Sequence, residues 1–209
     1  TVLKGAWESN INNQSRWVIF SDLHMGDGST KDDFKPNSEL FQCALRDYYL
    51  KRNYSLMLNG DVEELQRFSL DVILKNWNLV YKLFDAFANK NRLAKTYGNH
   101  DLQLKVQKPP YDYKMSEACK LSYEGDHIFI YHGHQASKKY QLQNDLVGFT
   151  LKYFANPLRI KDYSVSHSSK KQYKIEKRAY EHAIKRNQIS IIGHTHRPLF
   201  ESLHKVDRL

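Results

Sequence analysis

The chain has 209 residues, of which 41% are hydrophobic, so it is long enough for one α/β domain with a substantial core but too short for a second full domain. Its formal net charge of +9 favours anionic partners such as phosphates, nucleic acid or an acidic lipid surface. No apolar run of about 18 residues occurs, and no basic segment leads into an apolar one near the start, so we expect neither a membrane span nor a signal peptide. We interpret residues 1–209 as a single domain.

Short apolar runs alternate with longer amphipathic segments along the chain, which predicts an α/β fold. Strands are predicted at 17–20, 55–58, 92–97, 118–123, 127–131 and 189–192. Two of these strands flank Glu124-Gly125-Asp126, which predicts a hairpin with a tight turn. Helices are predicted at 38–52, 70–87, 141–155 and 172–187.

The two cysteines, Cys43 and Cys119, lie far apart in separate apolar stretches. This placement favours two reduced core thiols over the disulfide framework of a secreted protein. The sequence therefore predicts a cytoplasmic protein.

Five short polar motifs follow predicted strands in chain order. They are Asp22-Leu23-His24, Gly60-Asp61, Gly98-Asn99-His100-Asp101, His132-Gly133-His134 and Gly193-His194-Thr195-His196. A single motif of this kind is weak evidence, because each is common in turns and surface loops. All five together predict one convergent site, since α/β sheets build their sites just past the ends of their strands.

The residue types in these motifs suit divalent metal ions. A mixed set of carboxylate, amide oxygen and imidazole ligands fits manganese, iron or zinc better than calcium, and we favour manganese. Two ions about 3.5 to 4 Å apart share a ligand, usually a carboxylate, and can hold a hydroxide that attacks phosphorus in line. Asp61 is the natural candidate for the shared ligand. Glycines beside Asp61, Asn99 and His194 let the backbone turn sharply and approach closely.

Taken together, the five motifs resemble those of the calcineurin-like metallophosphoesterase superfamily over about residues 17–203. The resemblance implies a four-layer α/β/β/α sandwich, with two sheets packed between helices, and two metal sites. The first site would be formed by Asp22, His24, Asp61 and His196, and the second by Asp61, Asn99, His132 and His194. The resemblance also implies that His100 donates a proton to the leaving oxygen and a hydrogen bond to the phosphoryl group, with Asp101 orienting its ring.

Two residues in or near the motifs can be interpreted in more than one way. His134 could face the substrate, support a ligand from behind, or have no role. Glu64 could support a ligand from behind or simply begin a helix as an acidic residue. We interpret the remaining histidines as ordinary surface or core residues; these are His127, His167, His182 and His204.

The positive charge is concentrated between the fourth and fifth motifs. Residues 135–189 contain twelve Lys and Arg but only four acidic residues, a net charge of +8. We interpret this segment as a helical basic insertion that forms a cap over the site. It resembles the insertion of the branch that contains the UDP-2,3-diacylglucosamine pyrophosphohydrolases, although well-known members of that branch carry Arg where this chain has His100. A solvated, lysine-rich helix face is the simpler alternative.

The sequence therefore predicts a dinuclear metal-dependent phosphoesterase that acts on a small or lipid-linked phosphoester or pyrophosphate, such as UDP-diacylglucosamine. A nucleic-acid phosphodiesterase is the alternative, since a basic flank suits a polyanion. The same basic segment could contact an acidic membrane surface, which would make the protein peripheral to a membrane. A non-catalytic scaffold of the same fold is disfavoured, because every motif is intact.

Overall fold

The computed structural model describes residues 5–107, 109–136 and 169–197. Within these ranges, eight strands form two four-stranded sheets. The strands are β1 (Ala6–Asn10), β2 (Trp17–Phe20), β3 (Ser55–Asn59), β4 (Leu93–Thr96), β5 (Lys114–Ser116), β6 (Ala118–Tyr123), β7 (Asp126–Tyr131) and β8 (Ile189–Ile192). The helices are α1 (Ser38–Cys43), which continues as a π-helical segment over Ala44–Tyr49, α2 (Leu70–Asn76), α3 (Asn78–Ala88) and α4 (Ser169–Arg186). Short 3-10 turns lie at Lys35–Asn37, Leu102–Lys105 and His134–Ala136.

The first sheet has the strand order β2-β3-β4-β5, and all its neighbouring strands run parallel. The second sheet has the order β1-β6-β7-β8, in which only β6 and β7 are antiparallel. Glu124 and Gly125 join these two strands with positive φ angles of 47° and 94°, as a two-residue hairpin turn requires. The predicted hairpin is therefore confirmed.

One apolar cluster lies between the two sheets. Met57 and Ala94 from the first sheet pack there against Cys119, Leu121 and Ile130 from the second. Because side chains alternate across a strand, each sheet has a second face that also needs a cover. The two sheets thus form the middle of the molecule.

Helices cover the outer faces of both sheets. Strand β3 packs on α1, α2 and α3 through a large apolar cluster. This cluster includes Phe41, Leu56, Leu58, Ile73, Phe84 and Phe87. On the other side, Ala179 of α4 packs against Phe129 and Tyr131 of β7. The fold is therefore of the predicted α/β class, with two sheets between layers of helices.

All six predicted strands are present, with ends shifted by no more than one residue. The sequence did not predict β1 or β5. Both are short, contain polar residues, and lie at an edge of their sheet. An edge strand is covered on fewer sides, so it lacks the continuous apolar run that marks a buried parallel strand.

The helix predicted over 70–87 is in fact two helices, α2 and α3, that meet at Trp77. The backbone of Trp77 leaves the helical region, with φ −108° and ψ 26°. Its indole Nε1 donates to the carbonyl of Gly26 at 3.1 Å and to Oδ2 of Asp32 at 3.0 Å. A tertiary contact therefore accompanies this break, and the apolar periodicity does not reveal it.

Two further predicted helices are present. The segment 38–52 corresponds to α1 and its π-helical continuation, and 172–187 corresponds to α4, which begins at Ser169. The helix predicted at 141–155 and much of the predicted cap over 135–189 lie outside the described residues, so the cap and the single-domain interpretation stay predictions. No helix in the described ranges is both long enough and apolar enough to cross a membrane.

The two cysteines occupy different environments. Cys119 is buried on β6, where burial raises the pKa of its thiol to about 12. Cys43 lies exposed at the end of α1. The prediction of two core thiols is therefore wrong for Cys43, because the helix turns this position toward solvent while Phe41 enters the core.

Candidate metal centre

The five motif loops leave β2, β3, β4, β7 and β8 at their carboxyl ends, and hydrogen bonds tie them together. The N–H of Asp22 donates to the carbonyl of Gly60 at 3.1 Å, and that of Gly193 to the carbonyl of His132 at 2.9 Å. Between the sheets, the N–H of His194 donates to the carboxylate of Asp22 at 3.1 Å. These contacts bring motif loops of both sheets together, as the sequence predicts.

Asp22, His24 and His196 form one group of side chains that could hold a metal ion. Oδ1 of Asp22 lies 3.2 Å from Nε2 of His196, and Nε2 of His24 lies 3.4 Å from that same nitrogen. The side chain of His196 is 42% exposed, whereas that of His24 is only 9% exposed. This group therefore opens to solvent on the side of His196.

Asp61, His132 and His194 form a second such group, and all three residues are buried. Nε2 of His132 lies 3.0 Å from Oδ2 of Asp61. On the other side of the ring, Nδ1 of His132 lies 3.0 Å from the carbonyl of Asn59. Because a carbonyl can only accept, Nδ1 carries the proton, and Nε2 is left to face the carboxylate.

Asp61 lies between the two groups. Its Oδ2 is 3.9 Å from Nε2 of His24 as well as 3.0 Å from Nε2 of His132. Its other oxygen, Oδ1, accepts the backbone N–H of His100 at 2.8 Å. A Cβ on Gly98 would overlap this carboxylate, so the loop after β4 can come this close only with glycine at that position. The predicted close approach at Gly98 is confirmed.

Asn99 lies in the same loop, between Gly98 and His100, which both approach Asp61. Its side-chain Oδ1 is buried and has no hydrogen-bond partner among the described residues, while its backbone carbonyl accepts from Nε2 of Gln66 at 3.2 Å. A buried acceptor without a partner is unfavourable. A bound cation would satisfy it.

Glu64, one of the residues left open by the sequence, holds two histidine rings. Nδ1 of His100 donates to Oε1 of Glu64 over 2.9 Å, and Nδ1 of His24 donates to Oε2 over 3.0 Å. Burial raises the pKa of Glu64, but the hydrogen bonds from His100 and His24 lower it to about 2. The ionised carboxylate can only accept, so both rings carry a proton on Nδ1.

Asp101 does not orient the ring of His100, contrary to the prediction. Its Oδ1 accepts the backbone N–H of Gly98 at 2.6 Å, and its Oδ2 accepts that of Val62 at 3.0 Å. The two oxygens therefore join the loop after β4 to the loop after β3. Asp101 therefore shapes the backbone of the site. The ring of His100 is held by Glu64 instead.

Many of the predicted ligands adopt a left-handed backbone. They are Asp22 (φ 56°), His24 (φ 49°), Asp61 (φ 51°), His194 (φ 69°) and His196 (φ 52°). Non-glycine residues rarely take this conformation, which costs on the order of 1 to 3 kcal/mol for each. Such strain persists only where the surrounding contacts impose it, and here it is concentrated in the motif loops.

The residue set fits divalent metal ions. Bonds from such ions to imidazole nitrogen and carboxylate oxygen are about 2.0 to 2.2 Å, so the ligand atoms around one ion lie roughly 3 Å apart. The separations of 3.2 and 3.4 Å in the first group and 3.0 Å in the second agree with this geometry. The buried Oδ1 of Asn99 adds an oxygen donor without another partner.

The sequence matches the profile of the calcineurin-like phosphoesterases over residues 15–198, which is most of the chain. The chain belongs to the calcineurin-like phosphoesterase family. The two groups of His and Asp side chains are suited to divalent metal ions.

Two solved structures resemble this chain at low identity. One is YfcE, a phosphoesterase from E. coli, with 15% identity, a TM-score of 0.32 and coverage of 59% of this chain and 60% of that one. The other is a predicted phosphoesterase from Streptococcus pneumoniae TIGR4, with 15% identity, a TM-score of 0.27 and coverage of 65% and 55%. This chain thus spans less than two thirds of the length of either relative. No curated protein gave a significant match.

The charged side chains of these groups shift one another's pKa values. Burial raises the pKa of Asp61, but the neighbouring histidines, His132 first, hold it well below its usual value. Burial lowers the pKa of His132, yet Asp61 and then Asp22 raise it to about 9. Burial and the nearby His132 lower the pKa of His194 to about 4. Without metal, His132 is therefore the cationic member of this group and His194 the neutral one.

His134 lies behind the candidate ligands. It is 3% exposed, and its ring centroid is 5.4 Å from that of His132 and 6.3 Å from that of His194. Burial, followed by the charge of His132, lowers the pKa of His134 well below its usual value. This position favours support of the ligands from behind over contact with a substrate.

Asn59 is a structural residue of the site that sequence reasoning missed. Its Oδ1 accepts from Oγ1 of Thr96 at 2.9 Å, and its Nδ2 donates to the carbonyl of Tyr131 at 3.2 Å. It therefore links β3 to β4 in one sheet and to β7 in the other. The available signal was a polar residue that ends an otherwise apolar strand, directly before Gly60-Asp61.

Proposed function

We propose that this protein is a phosphoesterase whose active site holds two divalent metal ions. The observation that carries the proposal is the position of Asp61. Its Oδ2 lies within 3.9 Å of Nε2 of His24 in one group and 3.0 Å of Nε2 of His132 in the other. A carboxylate in this position can be shared by two ions.

The donor atoms divide naturally between the two ions. Asp22, His24, Asp61 and His196 would hold the first ion, and Asp61, Asn99, His132 and His194 the second. This mixture of imidazole nitrogen with carboxylate and amide oxygen suits manganese, iron or zinc, and manganese is the ion we favour. When bound, such ions act as Lewis acids toward a phosphoryl oxygen and lower the pKa of water toward neutrality.

His100 is the proposed proton donor to the leaving oxygen. Its Nδ1 proton is held by Glu64, so a cationic ring has its second proton on Nε2, on the opposite side. Burial lowers the pKa of His100, but Glu64 and then Asp61 raise it above its usual value overall. As the bond between phosphorus and the leaving oxygen breaks, Nε2 gives its proton to that oxygen, and the neutral ring keeps its proton on Nδ1.

The exposed fractions of the side chains indicate from which side of the site a phosphate group would enter. The side chains of His196 and His100 are 42% and 19% exposed, whereas those of His132 and Asp61 are 0% and 2% exposed. A phosphoryl group would therefore reach the metal ions past His100 and His196. We propose a small or lipid-linked phosphoester or pyrophosphate as the substrate, with UDP-diacylglucosamine as one example.

A nucleic-acid phosphodiesterase is the second candidate, and the surface of α4 favours it. The helix exposes Lys170, Lys171, Lys174 and Lys177. It also contacts the last motif loop, because Nε2 of Gln172 donates to the carbonyl of Thr195. A polyanion bound there would release counterions, so cleavage of DNA by this route should weaken steeply with salt.

The test is a substrate screen with metal-stripped protein, with and without Mn²⁺. The substrates are p-nitrophenyl phosphate, bis-p-nitrophenyl phosphate, a UDP-linked pyrophosphate and single-stranded DNA. We expect hydrolysis only with Mn²⁺, and its loss in Asp61→Asn. Asp33→Asn is the matched control, because Asp33 is an exposed carboxylate paired with Arg67. No Mn²⁺-dependent hydrolysis, or equal rates in the two variants, would contradict the proposal.

A further inference from the structure

Helix α4 has polar side chains on its buried face. Gln172 and Glu176 are 6% and 8% exposed, and they share this face with Ile175 and Ala179, which are 3% and 5% exposed. Residues four apart on a helix point in the same direction. A buried amide or carboxylate is unfavourable unless it has a partner, and here the partners belong to the last motif loop.

The two polar residues contact alternate residues of that loop. Nε2 of Gln172 donates to the backbone carbonyl of Thr195 at 2.9 Å. One helical turn further on, Oε1 of Glu176 lies 3.3 Å from Nε of Arg197. Thr195 is itself buried, at 4% exposed, so the bond from Gln172 is shielded from water.

Thr195 lies between two histidines that belong to different groups of candidate metal ligands. His194 belongs to the group with Asp61 and His132, and His196 to the group with Asp22 and His24. Both histidines have a left-handed backbone, with φ 69° and 52°. Such a conformation needs external contacts to hold it. The peptide around Thr195 therefore sets how the two rings are placed relative to each other.

The same helix also supports another motif loop. NH1 of Arg178 donates to the backbone carbonyl of Ala136 at 2.7 Å, two residues after the His132-Gly133-His134 motif. Helix α4 thus binds backbone carbonyls beside two of the loops that carry candidate ligands. Of these contacts, the bond from Gln172 lies nearest to a pair of ligands.

We propose that Gln172 is a positioning residue of the metal centre, and this rests on the proposed function of that centre. By binding the carbonyl of Thr195, its amide keeps Nε2 of His196 turned toward Asp22 and the ring of His194 turned toward Asp61. Without this donor, the loop can relax from its left-handed conformation, and both rings lose their fixed separation. Gln172 would touch neither the metal ions nor the substrate.

The experiment compares Mn²⁺ binding by the metal-stripped full chain in the wild type, Gln172→Met and Gln188→Met. The substitution is the same in both variants, but Nε2 of Gln188 has no hydrogen-bond partner in the described part of the chain, so Gln188→Met is the matched control. Calorimetric titration should show a Kd for Mn²⁺ raised about 10-fold to 100-fold in Gln172→Met, the usual effect of removing a residue that orients metal ligands. Gln188→Met should bind as the wild type does.

Measurements of hydrolysis test the role of Gln172 independently of the binding titration. In Gln172→Met, hydrolysis of p-nitrophenyl phosphate should recover as Mn²⁺ is raised, and at saturating Mn²⁺ the KM should equal that of the wild type. A residue with a merely structural role would lower the melting temperature without changing the Kd of the folded protein. Circular dichroism checks the fold first, and Gln172→Leu, which also lacks the donor, replaces Gln172→Met if that variant does not fold.

The outcomes separate this inference from the proposed function. Equal Kd values in Gln172→Met and Gln188→Met would overturn the role of Gln172 and leave the metal centre intact. A wild type that binds Mn²⁺ but hydrolyses no phosphoester would overturn the proposed function alone, since the comparison of Kd values still decides the role of Gln172. A wild type that binds no Mn²⁺ would overturn both.

Discussion

The carboxylate of Glu64 accepts a hydrogen bond from Nδ1 of His100, 2.9 Å away. It accepts a second one from Nδ1 of His24 at 3.0 Å. The two rings meet edge to face, with centroids 4.7 Å apart and an interplanar angle of 88°. One carboxylate therefore fixes a proposed metal ligand and the proposed proton donor together, and it leaves Nε2 of each ring pointing away from it.

Replacing Glu64 by glutamine should affect both rings. The carboxamide has one oxygen, so it can accept from only one Nδ1, while its NH₂ group faces the other. We expect kcat to fall about 10-fold to 100-fold. The pKa of His100 should also fall, because its hydrogen bond to Glu64 is the largest influence that raises this pKa against burial.

The pH profile of kcat/KM at saturating Mn²⁺ measures this change. The proposed acid works only when protonated, so activity is lost as the pH rises through its pKa. In Glu64→Gln that loss should occur at lower pH than in the wild type. Asp33→Asn, which removes an exposed carboxylate, should leave the profile in place. An unshifted profile in Glu64→Gln would show that Glu64 does not set the protonation of His100.

His100→Gln should discriminate between leaving groups. An alkoxide needs a proton as it departs, whereas p-nitrophenolate is stable without one. We expect kcat to fall about 10²-fold to 10⁴-fold for an alkyl phosphate, the range of general acid catalysis, and far less for p-nitrophenyl phosphate. Equal losses with both substrates would point to a role for His100 in binding the phosphoryl group instead of protonating the leaving oxygen.

The convergence of the motifs could be predicted from the sequence because it depends on strand ends. Parallel strands in one sheet place their carboxyl ends at one edge, so the loops that carry Asp22, Asp61 and Asn99 had to meet. The second sheet adds His132 and His194 from the ends of β7 and β8. Apart from β4, which carries Lys95 and Thr96, these strands are mostly apolar, and each of them ends at a polar motif, so the pattern is local.

The contacts that hold the side chains of the site in place were harder to predict, because they depend on how the loops turn. Asp101 is next to His100 in sequence, yet its oxygens face Gly98 and Val62. Glu64 is distant from His100 in sequence and reaches it across two loops. The left-handed backbone at His194 and His196 likewise depends on tertiary contacts, since even histidine adopts this conformation only in a minority of cases.

The stability of the metal-free protein should pass through a maximum near pH 6.5. The folded pKa of His132 is raised from 6.5 to about 9, so its contribution is complete below pH 6.5 and is lost as the pH rises through 9. The folded pKa of His194 is lowered from 6.5 to about 4, so its contribution is present above pH 6.5 and is lost as the pH falls toward 4. The pKa values of His100 and His196 are also raised, which adds to the loss at high pH.

Urea unfolding of the metal-stripped protein from pH 4.5 to 9 tests this expectation. The free energy of unfolding should decline on both sides of the maximum. In His132→Gln the decline above pH 6.5 should be smaller, because the group that holds the proton is gone. A free energy that rises steadily from pH 6.5 to 9 in the wild type would rule out a protonated His132 in the folded, metal-free state.

A buried ion pair joins the first sheet to the loop after β3. Nζ of Lys95 on β4 contacts Oε2 of Glu63, and both side chains are 1% exposed. Oε1 of Glu63 also accepts from the hydroxyls of Tyr81 at 2.8 Å and Tyr111 at 3.0 Å. Removing one member of such a pair leaves an uncompensated buried charge, which costs about 3 to 5 kcal/mol.

Lys95→Met should therefore lower the free energy of unfolding by about 3 to 5 kcal/mol, measured by urea titration at pH 7. The matched control is Lys90→Met in the exposed turn after α3, which should change it by less than about 0.5 kcal/mol. Adding Glu63→Gln to Lys95→Met should recover part of the loss, because the unpaired carboxylate is then gone while its contacts with Tyr81 and Tyr111 can persist. If the double variant is less stable than Lys95→Met, the loss comes from packing and not from the orphaned charge.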